Sequence, residues 1–340
     1  MLIRFKVFNT DGAFMNIFVS GATGYIGSNL AERLIKDGHN VVTISRDKSK
    51  VTNGYVNNFK IIHGDIRDAE SIKKAFDNID LVYHFAGVFR TPNIGDQDYW
   101  DVHVEGTKNL LNVAFENKVK RFIHCSTIGV HGHIEEPPAI ETYRFNPGDT
   151  YQITKAKGEE AVRTFCEKNN FPFVVIRPTS VYGEGDMRML KLFKLAKKKL
   201  TPILGKGELS LHLVHIKDLV EGFVLAADNE EALGESIFVG GDKAYTLNDL
   251  VDIISEILSV PKSKIHIPVK PFQMLGTACE KICIPLGINP PIYRRRVDFF
   301  TKNRSFDISK SKRILKYQPK VSLKEGLTRT AEWYKANSLL

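Results

Sequence analysis

Tyr151 and Lys155 stand four residues apart in the stretch YQITK, and on a helix that spacing brings both side chains to one face. An ammonium beside a phenol favours the phenolate, so such a pair could take up and release a proton near neutrality. Of the eleven tyrosines in the chain, Tyr151 alone has lysine at the fourth position onward. A chain of this composition holds about one such pair by chance, so the spacing alone does not separate a reaction centre from a surface coincidence.

A second group lies near the front of the chain. In SGATGYIGSNL, Gly21, Gly24 and Gly27 directly follow a short apolar run at 16–20. A strand-to-helix turn of this kind aims backbone N–H groups and a helix N-terminus at a pyrophosphate, and glycine is needed where a side chain would block the approach. The spacing is G-x-x-G-x-x-G rather than the commoner G-x-G-x-x-G. A second apolar run ends in VVTISRD, where NAD enzymes place an acid on the ribose 2′-hydroxyl; here Ser45 and Arg46 stand there, a pair that suits the extra 2′-phosphate of NADP. NADP is therefore the expected cofactor, with NAD as the alternative. Asp65, in GDIRD, closes the third run where it could hold the adenine amino group, and HFAG at 84–87 ends the fourth with small residues that let a cofactor pass.

These residues need a scaffold. From residue 16 onward short apolar runs alternate with helical stretches, which argues a parallel sheet covered by helices, an α/β fold of the Rossmann type. Strands are expected at 16–20, 40–45, 59–63, 81–85, 121–126 and 173–177, and helices at 25–37, 96–117 and 151–169. Residues 15–178 would form the dinucleotide-binding domain, with 213–240 packing onto it, and 179–212 with 241–340 a smaller substrate-binding region. Residues 1–14 are expected to be loosely attached, since a start at Met15 would leave the fold whole.

The 340 residues carry 43% hydrophobic and 26% charged side chains, an ordinary globular balance, with a formal charge of +9. That charge points to an anionic partner such as a cofactor phosphate or a membrane headgroup. The basic runs at 197–199 and 294–296 are too short for nucleic-acid tails and lack aromatic neighbours. The four cysteines (Cys125, Cys166, Cys279, Cys283) lack paired metal-site spacing, so no metal is expected, and nothing resembles a cleavable signal peptide, so the cytoplasm is the expected compartment. Cys279 and Cys283 are expected on one buried helix face. The apolar segment FQMLGTACEKICIPLGI at 272–288 is too short and too charged to span a membrane, yet could lie against something greasy.

In order along the chain, the glycine turn, Asp65, VEGTKNLL at 104–111, CSTIGVHG at 125–132, the Tyr151–Lys155 pair and RPTSVYGEGD at 177–186 resemble the extended short-chain dehydrogenase/reductase family, also called the NAD-dependent epimerase/dehydratase family. By this resemblance Tyr151 is the catalytic acid/base, Lys155 its activator and Thr127 the third catalytic group, with Ser126 the fallback. The resemblance implies cofactor contacts from Gly21, Thr23, Gly24, Tyr25, Ile26, Gly27, Ser45, Arg46, Asp65, Ile66, Phe85, Ala86, Gly87, Lys155, Pro178 and Thr179. It implies substrate contacts from Val88, Thr127, Ser180 and Leu211. Many relatives carry asparagine where this chain has His103, so either a proton relay survives through the imidazole or the path is rebuilt.

The family divides between nucleotide-sugar enzymes and enzymes of hydrophobic alcohols and ketones. Nucleotide-sugar members hold the diphosphate with an asparagine and an arginine at the places of Ser180 and Leu211, and the C-terminal part resembles the 3β-hydroxysteroid dehydrogenase and dihydroflavonol reductase branch. The expectation is a hydride-transferring oxidoreductase acting on a hydrophobic, non-nucleotide secondary alcohol or ketone. A nucleotide-sugar epimerase or dehydratase and a non-catalytic NADP(H)-binding sensor are the alternatives. Arg294, Arg295 and Arg296 are a reservation, because one of them could meet a phosphate, and the apolar 268–288 segment would wall the pocket. The family further implies a homodimer through the 96–117 and 151–169 helices.

Overall fold

Runs of β-branched and aromatic residues buried on both sides form a central parallel sheet. The computed structural model describes residues 14–52, 56–89, 94–198, 201–262, 264–283, 285, 286, 288, 290, 291, 297 and 301–340. The expectations about residues 1–13 and about Arg294, Arg295 and Arg296 lie outside the described residues. Strands β1 (Asn16–Ser20), β2 (Asn40–Ser45), β3 (Phe59–His63), β4 (Leu81–His84), β5 (Arg121–Cys125) and β6 (Phe173–Pro178) follow in sequence. After β7 (Ser180–Tyr182), β8 (Thr201–Leu204) and β9 (Ser210–His215), β10 (Ser236–Val239) rejoins the main sheet. Its order is β10-β6-β5-β4-β1-β2-β3, and every pairing in it is parallel.

Alternate side chains of β1 feed the two cores that make the sheet doubly wound. Ile17 and Val19 pack under helices α1 (Tyr25–Lys36) and α7 (Ile216–Asp228) with Leu30, Leu34 and Phe223. Phe18 points to the other face, under α2 (Ala69–Lys73), α4 (Gly106–Glu116) and α5 (Thr150–Asn169), with Leu110, Leu111 and Val162. The sheet order reverses between β1 and β4, and in open parallel sheets the crevice beyond the carboxyl ends of the strands at that reversal is where ligands bind. The glycine turn and the 84–87 segment border it.

The expected helix at 96–117 is divided. Helix α3 (Asp96–Trp100) passes through one π-helical turn (Asp101–Glu105) into α4. The wider turn sets the His103 carbonyl against α5 so closely that a Cβ on Gly158 would stand 2.4 Å from its oxygen. Apolar periodicity continues across the turn through Val102 and Val104, so the sequence carries no sign of the extra residue. Helix α5 begins at Asp149, whose carboxylate accepts the Gln152 N–H at 2.8 Å, and ends at Asn170 in the left-handed region at φ 53°.

The smaller region pairs β9 with β7 and with β11 (Ala244–Thr246), and β8 with β12 (Lys264–Ile267). Helices α6 (Leu190–Lys197), α8 (Leu247–Ile257) and the C-terminal Leu323–Ala336 close on a separate core that includes Phe193, Leu250, Ile254, Leu327 and Tyr334. Helix α9 (Val269–Cys283) lies in the same part of the chain.

Because Gly158 meets backbone rather than a side chain tip, Gly158→Val is expected to push α5 off the π turn and to cost about 1–3 kcal/mol. Denaturant unfolding should read this as a lower midpoint with unchanged slope; an unchanged midpoint would show that the contact does not constrain α5.

Candidate active site

The glycine turn is built for a close approach from above. Gly21 has φ 73°, and a Cβ there would stand 2.9 Å from the Ala86 nitrogen; on Gly27 it would stand 2.3 Å from the Gly21 oxygen. Gly24 starts α1 without a side-chain cap, and the first turn of that helix holds no acidic residue. Thr23 and Gly24 are exposed, and Tyr25 and Ile26 half-buried. Uncapped N–H groups, no competing carboxylate and no side chain in the way fit a dinucleotide pyrophosphate.

Across the crevice the ends of β1 and β4 are locked together. The backbone N–H groups of Phe85 and Ala86 both donate to Ser20 Oγ at 3.1 Å, and Ser20 meets His84 Nδ1 at 2.7 Å. His84 Nε2 meets Thr107 Oγ1 at 2.8 Å, and Thr107 donates to the His103 carbonyl at 2.7 Å. Since Thr107 spends its hydrogen on that carbonyl, it accepts from His84 Nε2–H, and Ser20 donates to Nδ1. The His103 ring is fixed in the same way. Its Nε2 accepts the Val88 N–H at 3.0 Å, so Nδ1 carries the hydrogen and donates to Thr154 Oγ1 at 2.8 Å, and Thr154 donates to the Thr150 carbonyl at 2.8 Å. With both nitrogens engaged, His103 holds Val88 and α5 in place. Burial, helped by the nearby Lys155 charge, pulls its pKa down to about 3. Burial likewise drives His84 and His124 well below the ordinary histidine range.

Lys155 is buried at the carboxyl end of β5, where Nζ donates to the Cys125 carbonyl at 2.6 Å, and burial lowers its pKa. One helical turn earlier, the half-buried Tyr151 ring is met edge-on by Phe89 at 5.0 Å and His103 at 5.6 Å between centroids. Thr127 caps the short turn Ile128–His131 by accepting the Gly129 N–H at 3.0 Å. A Cβ on Gly129 would touch both Thr127 Oγ1 at 3.3 Å and Gln152 Cγ at 3.4 Å, so Thr127 lies beside the first turn of α5. Ser126 points elsewhere. Its hydroxyl donates to Glu159 at 2.7 Å, inside a buried network in which Arg177 forks the same carboxylate at 2.5 and 3.0 Å. Burial raises the Glu159 pKa, but the Arg177 and serine hydrogen bonds outweigh it and hold the carboxyl below its ordinary range.

The end of β3, where the adenine is expected, has one partner that the expectation lacked. Asp65 is forked by Arg67, with Nη2 2.7 Å and Nε 3.1 Å from its carboxylate oxygens. Burial works against ionisation of Asp65, yet Arg67 holds its pKa below the ordinary range, with Arg46 adding to the effect. Arg46 is exposed, while Ser45 is buried and accepts the Asp47 N–H at 3.1 Å. Arg67 went unremarked in the sequence, although it stands two residues beyond Asp65 in GDIRD. Ile66 is buried; Phe85, Ala86, Val88 and Ser180 are half-buried, and Gly87 would carry a Cβ 3.2 Å from His103 Nε2. Pro178 ends β6, and Thr179, buried, donates its N–H to the Val239 carbonyl at 2.9 Å.

Leu211, expected at the substrate, is buried in β9 and bridges Arg304, a buried arginine with no sequence signal. Arg188 is also new. Asp186, itself buried, forks it at 2.7 and 3.1 Å, the Val181 carbonyl accepts from it at 2.6 Å, and the guanidinium stands 6.0 Å from the Phe89 ring. Phe89 thus separates a fixed, half-exposed cation from Tyr151.

A switch-point crevice with a glycine turn, beside a tyrosine and a buried lysine one helical turn apart, defines a dinucleotide-dependent enzyme of the Rossmann class. Residues 17–240 match the NAD dependent epimerase/dehydratase family, and the chain belongs to it. A UDP-glucose epimerase of Bacillus subtilis, described as uncharacterised, is 27% identical over 338 residues, covering 92% of this chain and 96% of that one. A 3 beta-hydroxysteroid dehydrogenase/Delta 5-->4-isomerase of Mycobacterium tuberculosis is 26% identical over 338 residues, covering 94% and 90%. Among solved structures, UDP-glucuronic acid 4-epimerase from Bacillus cereus in complex with NAD superposes with a TM-score of 0.74 at 26% identity, over 95% of this chain and 99% of that one. Both branches of the family thus stand at similar distance. Among the described residues no helix is long and apolar enough to cross a membrane, and no cluster of side chains could hold a metal ion.

His103 is neutral in the fold and titrates near 6.5 when unfolded, so the unfolded chain binds the extra proton between those values. Stability is expected to fall as pH drops from about 6.5 towards 3, and His103→Asn should reduce that slope by about one proton per molecule. His103→Leu, which leaves the Val88 N–H without its acceptor and takes from Thr154 Oγ1 the hydrogen it accepts, should cost about 1–3 kcal/mol at neutral pH. Urea unfolding across that pH range checks both; an unaltered slope in the asparagine variant would mean that His103 is not buried neutral.

Proposed function

We propose that this chain is an NADP-preferring dehydrogenase or reductase that interconverts a secondary alcohol and its ketone on a hydrophobic, non-nucleotide substrate. The observation that carries the reading is the arrangement of Tyr151, Lys155 and Thr127 at the carboxyl end of β5, two strands from the glycine turn that follows β1 in the same sheet. The pyrophosphate would lie on the N–H groups at 21–27, the adenosine 2′-phosphate near Arg46 and Arg67, and the ribose hydroxyls against Lys155. When bound, the cofactor supplies the hydride acceptor or donor. Thr127 orients the substrate oxygen by hydrogen bond, and Tyr151 takes the hydroxyl proton as the ketone forms or returns it as the alcohol forms. Phenolate at neutral pH needs a tyrosine pKa lowered by roughly two or three, each about 1.4 kcal/mol, and the Lys155 ammonium works in that direction.

Buried Leu211 and uncharged Ser180 support a substrate without a diphosphate. The fixed Arg188 cation and the similarity to UDP-sugar epimerases favour a second reading, a nucleotide-sugar epimerase or dehydratase, which begins with the same hydride removal. Trp100, Phe115 and Ile153 are exposed on α3, α4 and α5, which supports a homodimer across these helices.

Titration calorimetry with NADPH, NADP, NADH and NAD should give at least about tenfold tighter binding of the phosphorylated pair, and Arg46→Ala should remove that margin, a loss of about 1.4 kcal/mol. Equal or tighter binding of NAD would sink the NADP preference. In a screen of ketones with NADPH, Tyr151→Phe should lose at least about a hundredfold in kcat with cofactor affinity retained. Turnover of a UDP-sugar without net change in reduced cofactor would instead establish the second reading.

A further inference from the structure

Helix α9 turns its apolar side to solvent. At about 100° per residue, Pro271, Met274, Leu275, Ala278 and Ile282 fall on one stripe, and all five are exposed. Met274 is 73% exposed and Ile282 62%, so the stripe is open rather than grazed by neighbours. The other side of the helix faces the protein through buried Gly276 and half-buried Phe272, Cys279 and Cys283; the two cysteines share a face, as expected, but a half-buried one. Exposed Leu286 and Ile288 extend the apolar surface beyond the helix, and Ile265 of β12 is exposed just before it. Met274, Leu275 and Ile282, in the segment expected to wall a pocket, point to solvent instead, while Phe272 faces inward.

The charges around the stripe select its partner. Residues 261–291 contain four lysines and a single acid, Glu280, in a chain of net charge +9. Lys270 and Lys281 are exposed and about three helical turns apart, so both border the stripe along the same edge. An antiparallel second copy, docked face to face by a two-fold axis perpendicular to α9, would bring these lysine edges together, which like charges oppose. An anionic surface with an apolar interior accepts both features at once.

We propose that α9 is an interfacial helix that lies in the headgroup layer of an anionic membrane, with Met274, Leu275 and Ile282 towards the acyl chains and Lys270 and Lys281 at the lipid phosphates. Among the described residues no helix is a membrane span, so the attachment is peripheral and reversible. The proposal deepens the reading of a hydrophobic substrate, since a bilayer is where such a molecule dissolves, and β12, which directly precedes α9, pairs with β8 in the substrate-side region.

The test is co-sedimentation of the full chain with phosphatidylcholine vesicles made with or without phosphatidylserine. The chain should pellet with the phosphatidylserine vesicles, less so as salt rises. A Met274→Glu/Ile282→Glu variant should partition at least about tenfold less, and Lys270→Gln/Lys281→Gln should lose about tenfold together with most of the lipid-charge dependence. Circular dichroism and thermal midpoints matching the parent establish that the variants fold. The proposal is overturned if the parent stays in solution with both vesicles, or if the glutamate variant pellets as well as the parent. It is equally overturned if, without vesicles, the parent forms larger assemblies that the glutamate variant loses, which would make α9 a contact between copies. Reduction of water-soluble ketones, assayed without vesicles, is scored separately: vesicle binding without ketone turnover keeps this proposal and removes the hydride-transfer reading, and the converse removes this one.

Discussion

A buried, fully ordered chain of hydrogen bonds fixes where the chemistry can happen. It runs from the Phe85 and Ala86 amides through Ser20, His84 and Thr107 to the His103 carbonyl, and from the Val88 amide through the His103 ring and Thr154 into the first turn of α5. The hydroxyl hydrogens of Thr107 and Thr154 are spent on backbone carbonyls, so the direction of the bonds to both rings is determined and neither histidine has a choice of tautomer. Both histidines are neutral because burial penalises the imidazolium. The consequence is mechanical. Strand ends that would border the cofactor and the helix that carries Tyr151 and Lys155 cannot shift independently.

Helix α5 is held at its middle by a different device. Glu159, one turn beyond Lys155, is buried and gathers Ser126 from just past β5, Arg177 from β6 and Ser236 from β10. A buried ion pair of this kind adds little net stability over an apolar core of the same shape, because desolvation offsets the Coulomb gain. It does penalise every arrangement that leaves one partner alone, and so specifies one rotation of α5. In that rotation Lys155 reaches the Cys125 carbonyl and the Tyr151 ring meets Phe89 and His103. Gly158 completes the arrangement by letting the π turn touch the helix backbone.

The binding faces show how a shared frame admits different ligands. The glycine turn and the ordered chain fit any dinucleotide, whereas Arg46 and Arg67 at the ends of β2 and β3, and Leu211, Arg188 and Arg304 in and around β9, lie outside that hydrogen-bonded chain. Both a UDP-glucose epimerase and a 3 beta-hydroxysteroid dehydrogenase match almost the whole chain at similar identity.

The sequence by itself determined the sheet, because strands buried on both faces must be continuous apolar runs, and six of them begin where the apolar periodicity places them. It also determined the glycine turn and the Tyr151–Lys155 pair, since both are local and their spacing is their geometry. The π turn, the His103 clamp and the outward stripe of α9 were decided only by the tertiary structure. The reason is that a side chain's partner across a gap of 15 or 51 residues, as for His103, and the side of a helix left uncovered, are set by how elements pack, and local spacing carries no information about either.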